Sequence, residues 1–276
     1  MGLGINDPRV IVFIMYCKLH RVWRTPILIH ENVRGFSRAL AAFLLGRDYG
    51  LRFLEVSPFH TCFNMLSRPR LFFIANHLQR TQMVCDPEVL LEQLSAEYMQ
   101  DTSTVAHDIY LALKPEIAAE GVELCQRRCQ MPLFRCGELG IDMWTCLSTT
   151  EQTYVKTYVA LYVEKFGRHP EYDLETIFSL QDNPDNRTTW ATNTGVIPCF
   201  RTGTAEHHMW IPALRRWLTS RERAAAMGFP SYSALAAIYG VPVTQQCSHH
   251  MLGNAMHVPT IGLVWATACA SIQIVS

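Results

Sequence analysis

A surplus of charge of either sign is missing from these 276 residues: Lys plus Arg and Asp plus Glu each number 24, and the isoelectric point is near 7.1. That balance argues against the broad basic field that non-specific phosphate binding favours, so any nucleic-acid surface must be local. The ten cysteines contain no Cys-x-x-Cys pair. Their scattered spacing argues against a disulfide framework or a zinc ribbon, and with no secretory signal it predicts reduced thiols in an intracellular protein. Cys125, Cys129, Cys136 and Cys146 match no common zinc spacing and have no histidine close in sequence, so no metal is expected. From Val258 to Val275 charge is missing altogether. Pro259, Gly262, Ser271 and Gln273 interrupt that run and no basic flank sets an orientation, which predicts a buried closing helix and no membrane span. No internal repeat is present.

What is abundant is apolar residues, at 49% ample for one large core or two smaller ones. Helical spacing from Asp7 to Trp23, broken by Thr25-Pro26, predicts a helix followed by the strand Ile27-Leu28-Ile29. A second helix is predicted from Gly35 through Leu45, and strands over Leu51–Val56 and Leu71–Ala75. This alternation argues for an α/β sheet in the first quarter. The middle changes character, with helices predicted after Asp86 and from Gln152 to Phe166, then a loop-rich stretch from Asp182 to Glu206. Thr219-Ser220-Arg221-Glu222 opens a short helix that Gly228-Phe229-Pro230 ends. Two further helices are predicted around Ser233–Tyr239 and Pro259–Ile272.

Several short segments recur in a telling order. Glu31-Asn32-Val33 follows the first strand, at the carboxyl end where open α/β sheets place ligands. Arg68-Pro69-Arg70 leads into the strand Leu71–Ile74. Arg216-Trp217-Leu218-Thr219-Ser220-Arg221-Glu222 runs on to Gly228-Phe229-Pro230, and Gly253-Asn254-Ala255-Met256-His257-Val258 precedes the last helix.

These segments resemble the motifs of the DNA (cytosine-5)-methyltransferases, which read Glu-Asn-Val, Gln-x-Arg-x-Arg, Arg-x-Leu-Thr-x-Arg-Glu…Gly-Phe-Pro and Gly-Asn-Ala-x-x-Val. Leu66 stands where the second motif usually has Gln, and Asp7-Pro8-Arg9 is similar to the stretch after the family's nucleophile loop. The resemblance implies an incomplete Rossmann-like methyltransferase sheet with an inserted target-recognition region: residues 1–76 in the catalytic sheet, 77–214 as the insertion, and 215–276 returning with the closing helix. It implies methyl transfer from S-adenosylmethionine to carbon 5 of cytosine in DNA, with RNA left open because the motifs hold the base and not the sugar. In that chemistry a thiolate adds to carbon 6 and negative charge builds on the ring. By resemblance Glu31 serves ring nitrogen 3 and the exocyclic amine, Arg70 the carbonyl oxygen, and Arg68 supports the site or a phosphate. Asn254 would shape the cofactor pocket, Arg216 and Arg221 would meet DNA, and a cleft would receive a flipped base. In a eukaryote such an enzyme is nuclear.

The family's Phe-x-Gly-x-Gly cofactor loop and Pro-Cys-Gln nucleophile loop do not occur in this sequence. Pro198-Cys199 lies between the second and third motifs, and Cys17 has no proline before it. The resemblance therefore implies a chain cut off downstream of its nucleophile, inactive alone, with an unpaired apolar sheet edge. Either the gene model is incomplete or another chain supplies the missing half. The alternative function is a non-catalytic DNA-binding remnant.

Overall fold

The structure, a computed structural model, describes residues 8–98, 104–131, 141–191, 195–201, 208–232 and 244–275. Its helices, in chain order among those residues, are α1 (Pro8–Trp23), α2 (Arg38–Leu45), α3 (Pro87–Tyr98), α4 (Lys114–Arg127), α5 (Met143–Cys146), α6 (Thr149–Phe166), α7 (Ser220–Ala226), α8 (Gln245–Asn254) and α9 (Val258–Ser271). The strands are β1 (Ile27–Asn32), β2 (Tyr49–Val56), β3 (Arg70–His77), β4 (Thr81–Met83), β5 (Ile177–Ser179), β6 (Trp190–Ala191), β7 (Met209–Ile211), β8 (Arg216–Trp217) and β9 (Ile272–Ile274). Two compact units divide the chain: Met1–Thr61 with Pro69–Thr102 and Pro259–Ser276, and Cys62–Arg68 with Ser103–Val258.

The first unit is built on a sheet of order β1-β3-β2, with β3 antiparallel to both neighbours. Its centre is the continuous apolar run Leu71-Phe72-Phe73-Ile74-Ala75, buried on both faces as a central strand requires. On one face Phe13 and Cys17 of α1, four residues apart and so on one helical side, pack with Ala41 and Leu45 of α2 against Leu28, Phe73 and Ala75. On the other face Leu54, Val56, Phe72 and Ile74 meet Leu91 of α3 and Leu263, Val264 and Ala268 of α9. Helices on both faces make an α/β layer structure, as the alternation of elements predicts.

In the second unit a small antiparallel sheet, β6-β5-β7-β8, packs with α4, α5 and α6. The Tyr158 ring of α6 stacks on Phe178 of β5 at 5.0 Å between centroids. Ser148 caps α6, its Oγ accepting from Glu151 N–H while the Glu151 carboxylate accepts from Ser148 N–H. Gly121 lets α4 approach Ile141 and Met143, whose side chains a Cβ there would meet at 2.9 Å.

These units cut the chain at other places than the expected segments 1–76, 77–214 and 215–276. β4 and α3 stay with the first unit because β4 pairs with β9, Gln82 opposite Gln273, and Leu91 enters the core beside β2 and β3. Trp217, Leu218, Ala226 and Met227 instead lie in the cores of the second unit. α6 begins at Thr149, three residues before the predicted start, because of the Ser148 cap. The predicted helix Ser233–Tyr239 lies outside the described residues. Among those described, no helix is long and apolar enough to cross a membrane.

Candidate functional site

Glu31 stands at the carboxyl end of β1 and Arg70 opens β3. The register sets Glu31 opposite Phe72, so Arg70, two residues earlier, is its diagonal neighbour on the same face. Arg70 Nε lies 2.8 Å from Glu31 Oε1, and its Nη1 donates to Pro69 O at 3.0 Å. Both side chains are about one-fifth exposed, 20% and 19%. Beyond the pair, Asn32 Oδ1 accepts from Val33 N–H at 2.8 Å as the strand ends. A half-buried carboxylate and guanidinium side by side present an acceptor and a donor together, which matches a flat heterocycle edge carrying an amine and a carbonyl.

Arg68 belongs to the second unit and is only 4% exposed. Its Nη2 donates to Ala255 O at 2.6 Å and Gly253 O at 3.2 Å, and its Nη1 to Phe200 O and Cys199 Sγ, each at 3.2 Å. The guanidinium thus clamps the carbonyls on either side of Asn254. Asn254 itself is exposed at the end of α8, its Nδ2 3.3 Å from His250 Nε2. Nearby His257, buried against Phe63, has its imidazole pushed down to about 4 by burial and by the Arg68 charge.

The sequence gives no direct sign of what Arg216 does in the fold. Its Nη1 and Nη2 donate to the two oxygens of Glu222, each at 2.7 Å, and the residue is 7% exposed. Glu222 also accepts from Thr219 N–H and Ala112 N–H, while Thr219 Oγ1 accepts from Glu222 N–H, a reciprocal cap at the start of α7. Arg216, expected at DNA, is therefore committed to this cap. Arg221 pairs with Glu116, donates to Ser231 O at 2.7 Å and lies over the Tyr232 ring at 4.3 Å. Neighbouring Arg215, by contrast, is exposed and lines an open cleft of about 350 Å³ with Trp144, Lys156, His169 and Trp210. No pattern in the sequence singled out that cleft, since its residues come from four separate segments.

Cys17 and Cys199 are each engaged within their own unit. Cys17 is buried where α1 packs on the sheet, and desolvation pushes its thiol up to about 11. Cys199 accepts from Arg68, and its own thiol donates to Phe200 O at 3.4 Å.

No protein-family model and no curated protein matches this chain. Solved structures do. The S. pombe Dnmt2 methyltransferase matches over 98% of this chain and 76% of its own, with a TM-score of 0.52 and 16% identity. A putative DNA modification methyltransferase encoded within an E. coli prophage matches over 97% of this chain and 76% of its own, with a TM-score of 0.58 and 17% identity. The chain therefore has a methyltransferase fold. Both matched structures run on for about a quarter of their length beyond what this chain covers.

A methyl donor of the sulfonium nucleoside type needs polar groups converging on its base, ribose and amino-acid ends. Asn254 offers one exposed carboxamide, and the carbonyls beside it are taken by Arg68. These residues do not make such a site by themselves.

Proposed function

We propose that this chain forms the base-holding part of a DNA (cytosine-5)-methyltransferase, an enzyme that moves a methyl group from S-adenosylmethionine to carbon 5 of cytosine. The observation that carries the reading is the Glu31–Arg70 pair at the carboxyl end of β1, in a chain with a methyltransferase fold. Cytosine offers an amine, a ring nitrogen and a carbonyl along one edge. Glu31 takes the amine and shares a proton with ring nitrogen 3, while Arg70 donates to the carbonyl oxygen. When a thiolate adds to carbon 6, electron density moves toward those two positions, and both contacts strengthen as it does. Arg68 acts at one remove, holding the segment that carries Asn254. DNA phosphate falls to Arg215 and Lys156, the exposed cations of the open cleft, and not to Arg216.

The nucleophile and the donor site are not among the residues that support this reading, so its test uses the enzyme with those parts present. Glu31→Gln should lower turnover roughly 100-fold or more, the scale of a lost general acid, while weakening DNA binding less than tenfold. Equal loss of turnover and binding would assign Glu31 a structural role instead.

A further inference from the structure

The cleft that Arg215 lines in the second unit has a make-up that contact with a phosphate alone does not require. Part of its lining is apolar: Val155 and Val159, four residues apart on α6, stand with Trp210 of β7 and Pro212. Trp210 is buried and held in the sheet opposite Phe178 and Trp217. Trp144 of α5 meets it at 5.9 Å between ring centroids and 66° between planes, so Trp210 covers at most one face of that ring. Trp144 is half-buried, and its backbone is pinned: its N–H donates to Asp142 Oδ1 and its carbonyl accepts from Gln152 Nε2. A fixed aromatic plane beside an apolar lining is a platform for a flat ring.

Charge is arranged around that platform. Lys156 and Arg215 are exposed, and among the described residues neither pairs with a carboxylate, whereas Arg128, Arg201, Arg216 and Arg221 all do. Arg215 also sits in the left-handed region, at φ 50° and ψ 39°, where glycine is at ease and a side chain is disfavoured. Strain of that kind marks residues whose side chains are needed where the backbone puts them. On the same cleft His169 Nδ1 accepts from Glu171 N–H at 3.4 Å, which leaves Nε2 as the ring's donor. The Glu171 carboxylate lies 3.6 Å from that Nδ1, too far for a hydrogen bond, and remains an acceptor on the cleft.

These groups select a ligand class. A cleft of about 350 Å³ is at the small end of ligand sites and has room for one nucleotide. Its two unpaired cations call for an anion, which excludes a quaternary ammonium ligand despite the two tryptophans. The Trp144 ring calls for a planar partner, which a bare phosphate or carboxylate lacks. Glu171 calls for a donor, which an exocyclic amine supplies. Bases stacked and paired in a duplex have no free face, so the nucleotide has to be unpaired. We propose that this cleft binds one unpaired nucleotide, its amino-bearing base on Trp144 and its phosphate on Arg215 and Lys156. The proposal rests on the proposed function only in giving phosphate to these two cations, and it needs no methyl transfer. The nucleotide is either free or part of a single-stranded stretch, and the chemistry of the cleft is the same for both.

The test uses 2-aminopurine, an amino-bearing base whose fluorescence falls when it stacks on an aromatic ring. It is offered to the full chain as the free monophosphate, within a short single strand, and paired in a duplex. The single strand should be quenched to saturation and bound roughly tenfold more tightly than the duplex, the scale of one base stack. A free monophosphate bound as tightly as the strand identifies a free nucleotide as the ligand, and one bound more weakly identifies a nucleotide within a strand. Arg215→Gly suits the left-handed backbone and removes the charge, so it should weaken binding roughly tenfold with no loss of thermal stability. Trp144→Ala should abolish the quenching. No quenching by any form, equal quenching in the duplex, or full affinity in Arg215→Gly would overturn the proposal. Because no readout involves methyl transfer, this site can fail while the reading of Glu31 and Arg70 stands, and the reverse.

Discussion

The two units handle their difficult side chains in opposite ways. The second unit buries charged and polar groups: Glu222, Arg223 and His208 are at most 1% exposed, and Glu151 and Arg216 are 7%. Each acid has company. Arg216 forks onto Glu222, and Glu151 accepts from His208 Nδ1 at 2.8 Å and pairs with Arg128. The first unit leaves apolar surface open along α1 and at Trp265. Burying a charge is tolerable where its partner is present, and Glu222 and Glu151 both have theirs. An apolar helix face open to solvent has no such compensation.

The largest effect should come from opening the buried pair. Glu222→Ala strands Arg216 and removes the α7 cap together, and should cost about 3 to 5 kcal/mol in urea unfolding. Arg216→Met with Glu222→Met should cost clearly less than that single change, because no charge is left alone. A single change costing under about 1 kcal/mol would break the contrast.

Next is acid. The folded state holds His257 near 4, against about 6.5 when unfolded, so the unfolded chain takes up this proton first. The stability His257 contributes is complete above pH 6.5 and is lost as pH falls toward 4. The loss should be on the order of 2 to 3 kcal/mol, and His257→Gln should flatten the stability profile across that window. An unchanged slope in the variant would remove His257 from the account.

The smallest effect belongs to α1. In the isolated chain Leu19→Lys or Val22→Lys should change stability by less than about 0.5 kcal/mol and reduce self-association measured by sedimentation. A large destabilisation would mean that this face is already covered.

Where local spacing decides structure, the sequence was readable. Thr219-Ser220-Arg221-Glu222 announces a capped helix start, and α7 begins at Ser220, with Gly228 at φ 76° just beyond its end. The apolar run Leu71–Ala75 became the central strand. Partnerships across the fold were another matter. Arg216 reaches Glu222, six residues on, across the junction of β8 and α7, and nothing in a basic pair of residues shows that contact. Arg68 binds Gly253 and Ala255, 185 and 187 residues away. The Glu31–Arg70 contact needs the antiparallel register, which motif order alone does not reveal. Pro115, in the first turn of α4, is a start signal that the sequence carries for that helix.

The most direct measurement is covalent trapping. DNA containing 5-fluorocytosine holds an attacking thiol at carbon 6, because after methyl transfer the fluorine cannot be eliminated. Incubated with that DNA and S-adenosylmethionine, the 276-residue chain alone should show no adduct by mass spectrometry. With a nucleophile and donor site supplied, an adduct should form on the supplied cysteine. An adduct on any of the ten cysteines of this chain would contradict the account.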